Sequence, residues 1–350
     1  MSQFNTISFG SSRRPITLRI APRSALVALI LAVLICALGA FALVTGEYHM
    51  TIAEALRALA GNSQDRLANF FVQQQRAPRV LAAIIVGAAL GVSGTIFQSL
   101  SDNPLGSPDV IGFSTGAATG ALLQIIVFSA TPAGVAVGAL CGGLVTALVV
   151  YGLSYDSTVG VGGIRLVLVG IGVSAILHAV NSLLIVRASL ASAQTAALWL
   201  AGTLNAVSFD SMRLYVIAIV LLLPLALMLS RPLNTLSSGD DIATSVGVKV
   251  RTRRSQLVAI GVALIAAAVA IAGPVAFVAL AAPQIAKRLA RSGECEMIAS
   301  GLCGAVLVLG SDIAAQRLFA PTQLPVGAVT GTLGGVYLVW LLIYQSRRSQ

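Results

Sequence analysis

Few side chains in this sequence have the type and spacing to do chemistry. Ser174, His178 and Asn181 lie inside the apolar run 163–186, at spacings of four and three. That places all three on one face of a helix. Such a face either lines a polar pathway or hydrogen-bonds neighbouring helices, the latter worth about 0.6 kcal/mol per contact in a membrane. The residues alone leave both uses open. Asp312 is the best-placed carboxylate within an apolar run, near the outer end of its segment. A carrier driven by protons or ions shows such groups in mid-membrane, so the energy source is expected in a partner protein. The third place is the polar stretch 234–254. Asp240 and Asp241 begin a run, 240–246, of about two helical turns with negative charge at its N-terminus, and Gly247 supplies a stop.

Enzyme signatures are scarce. No HExxH is present, and Gly-Lys never occurs, so the chain has no phosphate-cradling loop of the Walker type. His49 and His178 lack the companions of a metal site, and Cys36, Cys141, Cys295 and Cys303 form no CxxC pair. No metal, catalytic residue or cofactor bound by this chain is expected.

The elements that must position these residues are membrane helices. The chain is 57% hydrophobic and 10% charged, against about 25% charged in soluble domains, and its mean hydropathy is +0.92. Ten apolar segments are legible: 24–44, 80–100, 110–129, 132–151, 163–186, 214–229, 257–272, 275–285, 298–313 and 326–344. Most approach the ~20 residues that cross a hydrocarbon core. The first is too long for a signal-peptide core, and the Arg13-Arg14 pair before Pro15 is a poor twin-arginine signal. The eighth is short, and Gly273-Pro274 ties it to the seventh as an expected hairpin with a partly broken helix.

Ten spans place both termini in the cytoplasm. Fifteen Lys/Arg then fall inside, among them Arg165, Lys249, Arg251, Arg253, Arg254, Lys287 and Arg288, and seven fall outside. That bias follows the positive-inside rule. It also accounts for the net charge of +10 without nucleic acid, since no basic patch carries interleaved aromatics. Glycines four apart (112/116/120, 134/138/142, 327/331/335) predict close helix packing. A weak echo between Gly91–Phe97 and Ala270–Phe277, each followed by a proline break, suggests two five-span repeats of opposite orientation, 24–205 and 206–345, after a cytoplasmic segment 1–23.

Several stretches together resemble the permease family that imports ferric siderophores, haem and vitamin B12 with a binding protein and an ATPase. They are Arg76-Ala-Pro-Arg79, Gly87–Gly94, Asn103-Pro104-Leu105-Gly106, Gly273-Pro274-Val-Ala-Phe277 and Leu324-Pro325-Val326-Gly327. The match covers nearly everything beyond residue 24. The stretch 97–112 is most similar to the catecholate branch, which implies an enterobactin-like cargo. The resemblance implies an all-α, ten-helix inner-membrane subunit of the type II ABC importer class. Its partners would be a second permease (a heterodimer favoured over a homodimer), two copies of a cytoplasmic ABC ATPase that uses ATP and Mg, and a periplasmic or lipid-anchored binding protein. It further implies ATPase coupling through Gly239, Asp240, Asp241, Ala243 and Gly247. Binding-protein docking would fall to Arg76, Arg79 and Arg317, and a translocation path would run along Ser174, His178 and Asn181. A short outer helix is implied within 190–205. Where the family often has Pro-His, this chain has Pro283-Gln284, and Gly163-Ile164 precede Arg165 where Ser/Thr is common. Import of B12 or haem keeps the same architecture; an ion-coupled secondary carrier is the reading from another class.

Overall fold

A computed structural model of the chain describes residues 5–9, 16–20, 22–46, 48, 50–109, 111–156, 160–161, 163–205, 207–291, 295–320 and 322–346. Arg13, Arg14, His49, Arg347 and Arg348 lie outside the described residues. Fifteen α-helices follow in chain order. They are α1 (Pro22–Val44), α2 (Ile52–Leu59), α3 (Arg66–Phe70), α4 (Ala77–Leu100), α5 (Phe113–Leu122), α6 (Pro132–Ser154), α7 (Gly163–Arg187) and α8 (Leu190–Leu200). Then come α9 (Phe209–Met228), α10 (Ser230–Leu236), α11 (Asp240–Ser245), α12 (Val250–Ala272), α13 (Val278–Ala290), α14 (Met297–Arg317) and α15 (Val326–Ser346). A π-helical stretch, Phe71–Arg76, joins α3 to α4, and another, Leu123–Val127, extends α5. Two short antiparallel ribbons complete the fold: β1 (Asn5–Phe9) with β2 (Ile16–Ile20), and β3 (Tyr155–Asp156) with β4 (Gly160–Val161).

Among the described residues, seven helical runs are long and apolar enough to cross a membrane, and Phe113–Val127 is a shorter apolar one. Their starts are written locally. Thr131 caps α6 through Gly134 N–H with Pro132 just inside, and Ser208 caps α9 in a reciprocal box with Ser211.

The bundle is built around α4, which packs on α14, α12 and α13. Its seam with α14 is backbone on backbone: a Cβ on Gly87 would sit 2.3 Å from the Gly304 carbonyl oxygen, and one on Gly304 would sit 2.0 Å from that of Gly87. The glycine ladders of α5 and α6 face each other in the same way, Gly120 against Gly138 and Gly142 against Gly116. The third ladder differs. Gly327 packs on the Ala201 carbonyl, while Gly331 and Gly335 of α15 meet nothing within 4 Å.

Three sequence expectations are corrected. The eighth apolar segment does not fold back along α12; a break at Gly273–Phe277, with φ of +69° and +67° at its ends, redirects α13 onto α14 and α4. The two halves of the suggested echo are not equivalent, since Gly91–Phe97 lies within α4 while Ala270–Phe277 runs over the end of α12. The chain between the first two spans carries α2 and α3, for which no element was expected.

The helix ends gather at two opposite rims. At one, Ser24 donates to Glu296, Cys295 N–H to the Asn234 side chain, Gln284 to Gln98, and Tyr151 pairs with Ser255. At the other, Arg76 reaches the end of α1, Arg79 reaches Asp312, Thr203 N–H donates to Ala272 and Gly327 N–H to Gly202. The first is called the inner rim and the second the outer rim, following the charge bias of the sequence.

Candidate functional site

The polar face of α7 is only partly assembled as expected. Thr115 of α5 meets Ser174 at 3.1 Å and His178 Nε2 at 3.5 Å. His178 is exposed on a helix that is little covered by the rest of the chain. Asn181 is buried, and its Oδ1 has no partner among the described residues. Along the one face, His178 is exposed, Ser174 half-buried and Asn181 buried. Thr115, which joins them, had no sequence signal beyond its place in a small-residue helix.

That helix start also spells a motif the sequence reading passed over, Gly112-Phe-Ser114-Thr-Gly116, in the pattern G-x-S-x-G. A nucleophile elbow needs a preceding strand and a histidine base. Here a loop precedes Gly112, and Ser114 donates to the Asp109 carboxylate. The serine fastens the loop ahead of α5.

At the inner rim, α11 forms where Asp240 and Asp241 predict it. Gly239 precedes it at φ +110° and Gly247 ends it at φ +82°, conformations that L side chains adopt only with strain. Asp241 is exposed, Ala243 is buried, and the apolar Ile242 and Val246 project into solvent. Asp240 is engaged inside the chain. Arg254 grips its carboxylate with two hydrogen bonds, Nη1 to Oδ2 at 3.1 Å and Nη2 to Oδ1 at 2.7 Å. Both residues were read from the loop, but not as a pair. Beside them Gln284 donates to Gln98 Oε1 at 2.7 Å, and Gln98 donates to the Leu280 carbonyl. Gln284 thus fixes α13 to α4. Arg165 is exposed at the start of α7.

At the outer rim two of the three arginines are occupied. Arg76 donates to the carbonyls of Leu43, Val44 and Tyr48 at 2.8, 3.2 and 2.7 Å, capping the C-terminus of α1. The Tyr48 hydroxyl donates to Asp65, which holds that carboxylate below its usual range. Arg79 forks onto Asp312, Nε to Oδ2 and Nη2 to Oδ1 both at 2.9 Å, and donates to Gln323 at 3.0 Å. Gln316 adds a bond to Asp312 at 2.8 Å. Arg317 is exposed, and its side chain has no hydrogen bond or ion pair among the described residues. Asp312 and Arg79 were each singled out in the sequence, but nothing in one sequence links positions 233 apart.

The model of the FecCD transport family matches residues 29–344. The ferric enterobactin transport system permease protein FepG of Escherichia coli (strain K12) is 44% identical over 310 residues, covering 89% of this chain and 93% of that protein. The achromobactin transport system permease protein CbrC of Dickeya dadantii (strain 3937) is 38% identical, covering 91% and 89%. A solved structure described as a metal-chelate type ABC transporter in an inward-facing conformation matches with a TM-score of 0.81 at 26% identity, over 92% of this chain and 99% of that one.

Proposed function

This chain belongs to the FecCD transport family, and on that premise we propose that it is the membrane permease of an ATP-driven importer of a catecholate, enterobactin-like ferric siderophore. The observation that carries the reading is the 44% identity to the ferric enterobactin permease over nearly the full length of both chains. The chain is a multi-pass transport subunit and not an enzyme; ATP is hydrolysed on a separate subunit, with Mg as that subunit's cofactor.

Ten crossings with both termini in the cytoplasm agree with helix ends that alternate between two rims. Two inverted repeats agree with the pairing of α5 with α6 and of α13 with α14. Residues in the left-handed region, Gly112 and Phe277, precede α5 and α13 alike. A second permease suits the uncovered α7 and the open Gly331 and Gly335 of α15, where small residues let another helix approach closely. A heterodimer is favoured. Asp241, Ile242 and Val246 on α11 form the face offered to the ATPase, with Gly239, Asp240, Ala243 and Gly247 shaping it. Arg317 is the arginine available to an acidic residue of the binding protein, while Arg76 and Arg79 hold the rim beneath it. Ser174, His178 and Asn181 line the path.

The test is uptake into proteoliposomes carrying this chain, its partner permease and its ATPase, with binding protein supplied outside. ATP-dependent accumulation of ferric enterobactin, with haem and vitamin B12 left outside, is the expected result. Accumulation without ATP, driven by an ion gradient, would overturn it.

A further inference from the structure

The helix α12 is fastened at one end to α11 and at the other to α8. At the inner end Arg254 holds Asp240, the first residue of α11, by the two bonds of 2.7 and 3.1 Å. A planar guanidinium fork on a carboxylate fixes direction as well as distance. The segment joining the two helices contains Gly247 at φ +82°, with nothing within 4 Å of where a Cβ would lie. Ala243 seats α11 on the core and Val248 N–H closes the link onto the Ala243 carbonyl at 2.9 Å; the fork adds a directional tie from α11 to α12.

At the outer end the Ala272 carbonyl, on the last residue of α12, accepts a hydrogen bond from Thr203 N–H at 2.8 Å. A Cβ on Gly273 would lie 2.6 Å from the Trp199 carbonyl oxygen, and one on Gly202 would lie 2.3 Å from that of Pro274. Trp199 belongs to the last turn of α8, so the end of α8 lies backbone to backbone on the end of α12. Between these two fastenings α12 is a continuous 23-residue helix, about 35 Å long at 1.5 Å per residue. Beneath α8 lies a largely apolar cavity of about 600 Å³, bounded by Ala191, Thr195 and Trp199 on one side and by Val135, Met212 and Ala270 on the other. It leaves α8 room to shift.

Resting on the importer reading, we propose that α12 is the rod that carries displacement of α11 to α8, with Asp240 and Arg254 as positioning residues. Asp241, Ile242 and Val246 are left to touch the ATPase. A small displacement at one end of a packed helix reaches the other because the interior is close-packed and transmits strain.

The experiment uses the assembled transporter in nanodiscs, with a genetically encoded fluorescent amino acid in place of Leu198, an exposed residue of α8. Two quantities are read on the assembled fraction: the ATP-dependent change in emission, and cargo moved per ATP hydrolysed. Asp240→Asn is expected to lower both by about tenfold, within the roughly 5–150-fold span of coupling between sites. Arg254→Lys, which keeps the charge and loses the fork, is expected to behave the same way. The exchange variant Asp240→Arg with Arg254→Asp is expected to regain most of both, which a merely destabilising change would not do. Full emission change and full cargo per ATP in Asp240→Asn would overturn the proposal. A wild-type chain that holds no ATPase would overturn the importer reading itself, an outcome distinguishable from the first.

Discussion

Two arginine–aspartate forks sit at opposite rims of this molecule, one through Nε and Nη2 and the other through Nη1 and Nη2, in opposite surroundings. In the outer one, Arg79 and Asp312 are 13% and 1% exposed and join helices 233 residues apart. In the inner one, Arg254 and Asp240 are 12% and 40% exposed and lie 14 residues apart. A carboxylate sealed from water depends wholly on its partners, and Asp312 has Arg79 and Gln316. A carboxylate open to water has an alternative when its partner leaves. The outer fork is therefore a fixture that holds two halves of the bundle together, and the inner one is a fastening that can be undone at small cost.

Removing one partner from each fork breaks the comparison most directly. Arg79→Met leaves the sealed Asp312 carboxylate uncompensated and is expected to cost about 3–5 kcal/mol, read as a large fall in the thermal unfolding midpoint of detergent-solubilised protein. Arg254→Met leaves the Asp240 carboxylate open to water and is expected to cost under ~1 kcal/mol. Equal losses in the two would show that exposure does not separate the forks.

The next largest effect also lies at the outer rim. A Cβ on Gly46 would sit 2.2 Å from Arg76 Nη2, the group bonded to Tyr48. Gly46→Ala is expected to displace the guanidinium from its carbonyls and cost about 1–3 kcal/mol, as overpacking does. At the inner rim Gly247→Ala meets no neighbour but must hold φ +82°, for about 1–2 kcal/mol. Its signature is loss of ATPase affinity with only a minor shift in unfolding temperature, measured by co-purification beside the unfolding scan.

Salt sharpens the distinction with the smallest effect. The Debye length falls from about 8 Å at physiological ionic strength to about 3 Å at 1 M. High salt should erase the stability difference between wild type and Asp240→Asn, and leave that between wild type and Asp312→Asn. Docking of the binding protein is expected to share the inner fork's sensitivity, because Arg317 is exposed. Arg317→Glu should weaken docking at low salt and have little effect at 1 M, checked by affinity across a salt series.

The comparison also marks what one sequence can carry. Hydropathy places the membrane helices because each must satisfy its own backbone and show lipid an apolar surface, a local demand written in consecutive residues. Helix α11 was legible for a similar reason, with Asp240 and Asp241 at its start and Gly247 at its end. Arg76 and Arg79 were legible as outer arginines, and their engagement was not, since the carbonyls of α1 and the Asp312 carboxylate reach them only through the fold. Glycine spacing was ambiguous in the same way. Gly116 and Gly120 find Gly142 and Gly138, while Gly331 and Gly335 carry the same spacing and find nothing within 4 Å among the described residues. Helices α2 and α3 went unseen because they are short, and only Ala55, Ala58, Ala68 and Val72 anchor them in a small satellite core with Met50.

The seam between α4 and α14 has a consequence for motion. Where Gly87 meets Gly304, no side chain lies between the two backbones. Sliding helices relocate by exchanging one set of interlocked rotamers for another, and this crossing has none to exchange. It behaves as a weld: tolerant of vibration, without a second resting position. Whatever alternates during transport must then be carried by elements hung around that weld. Among those with few ties to it are α7, α8 and α11, each bordered by open space, solvent or a cavity.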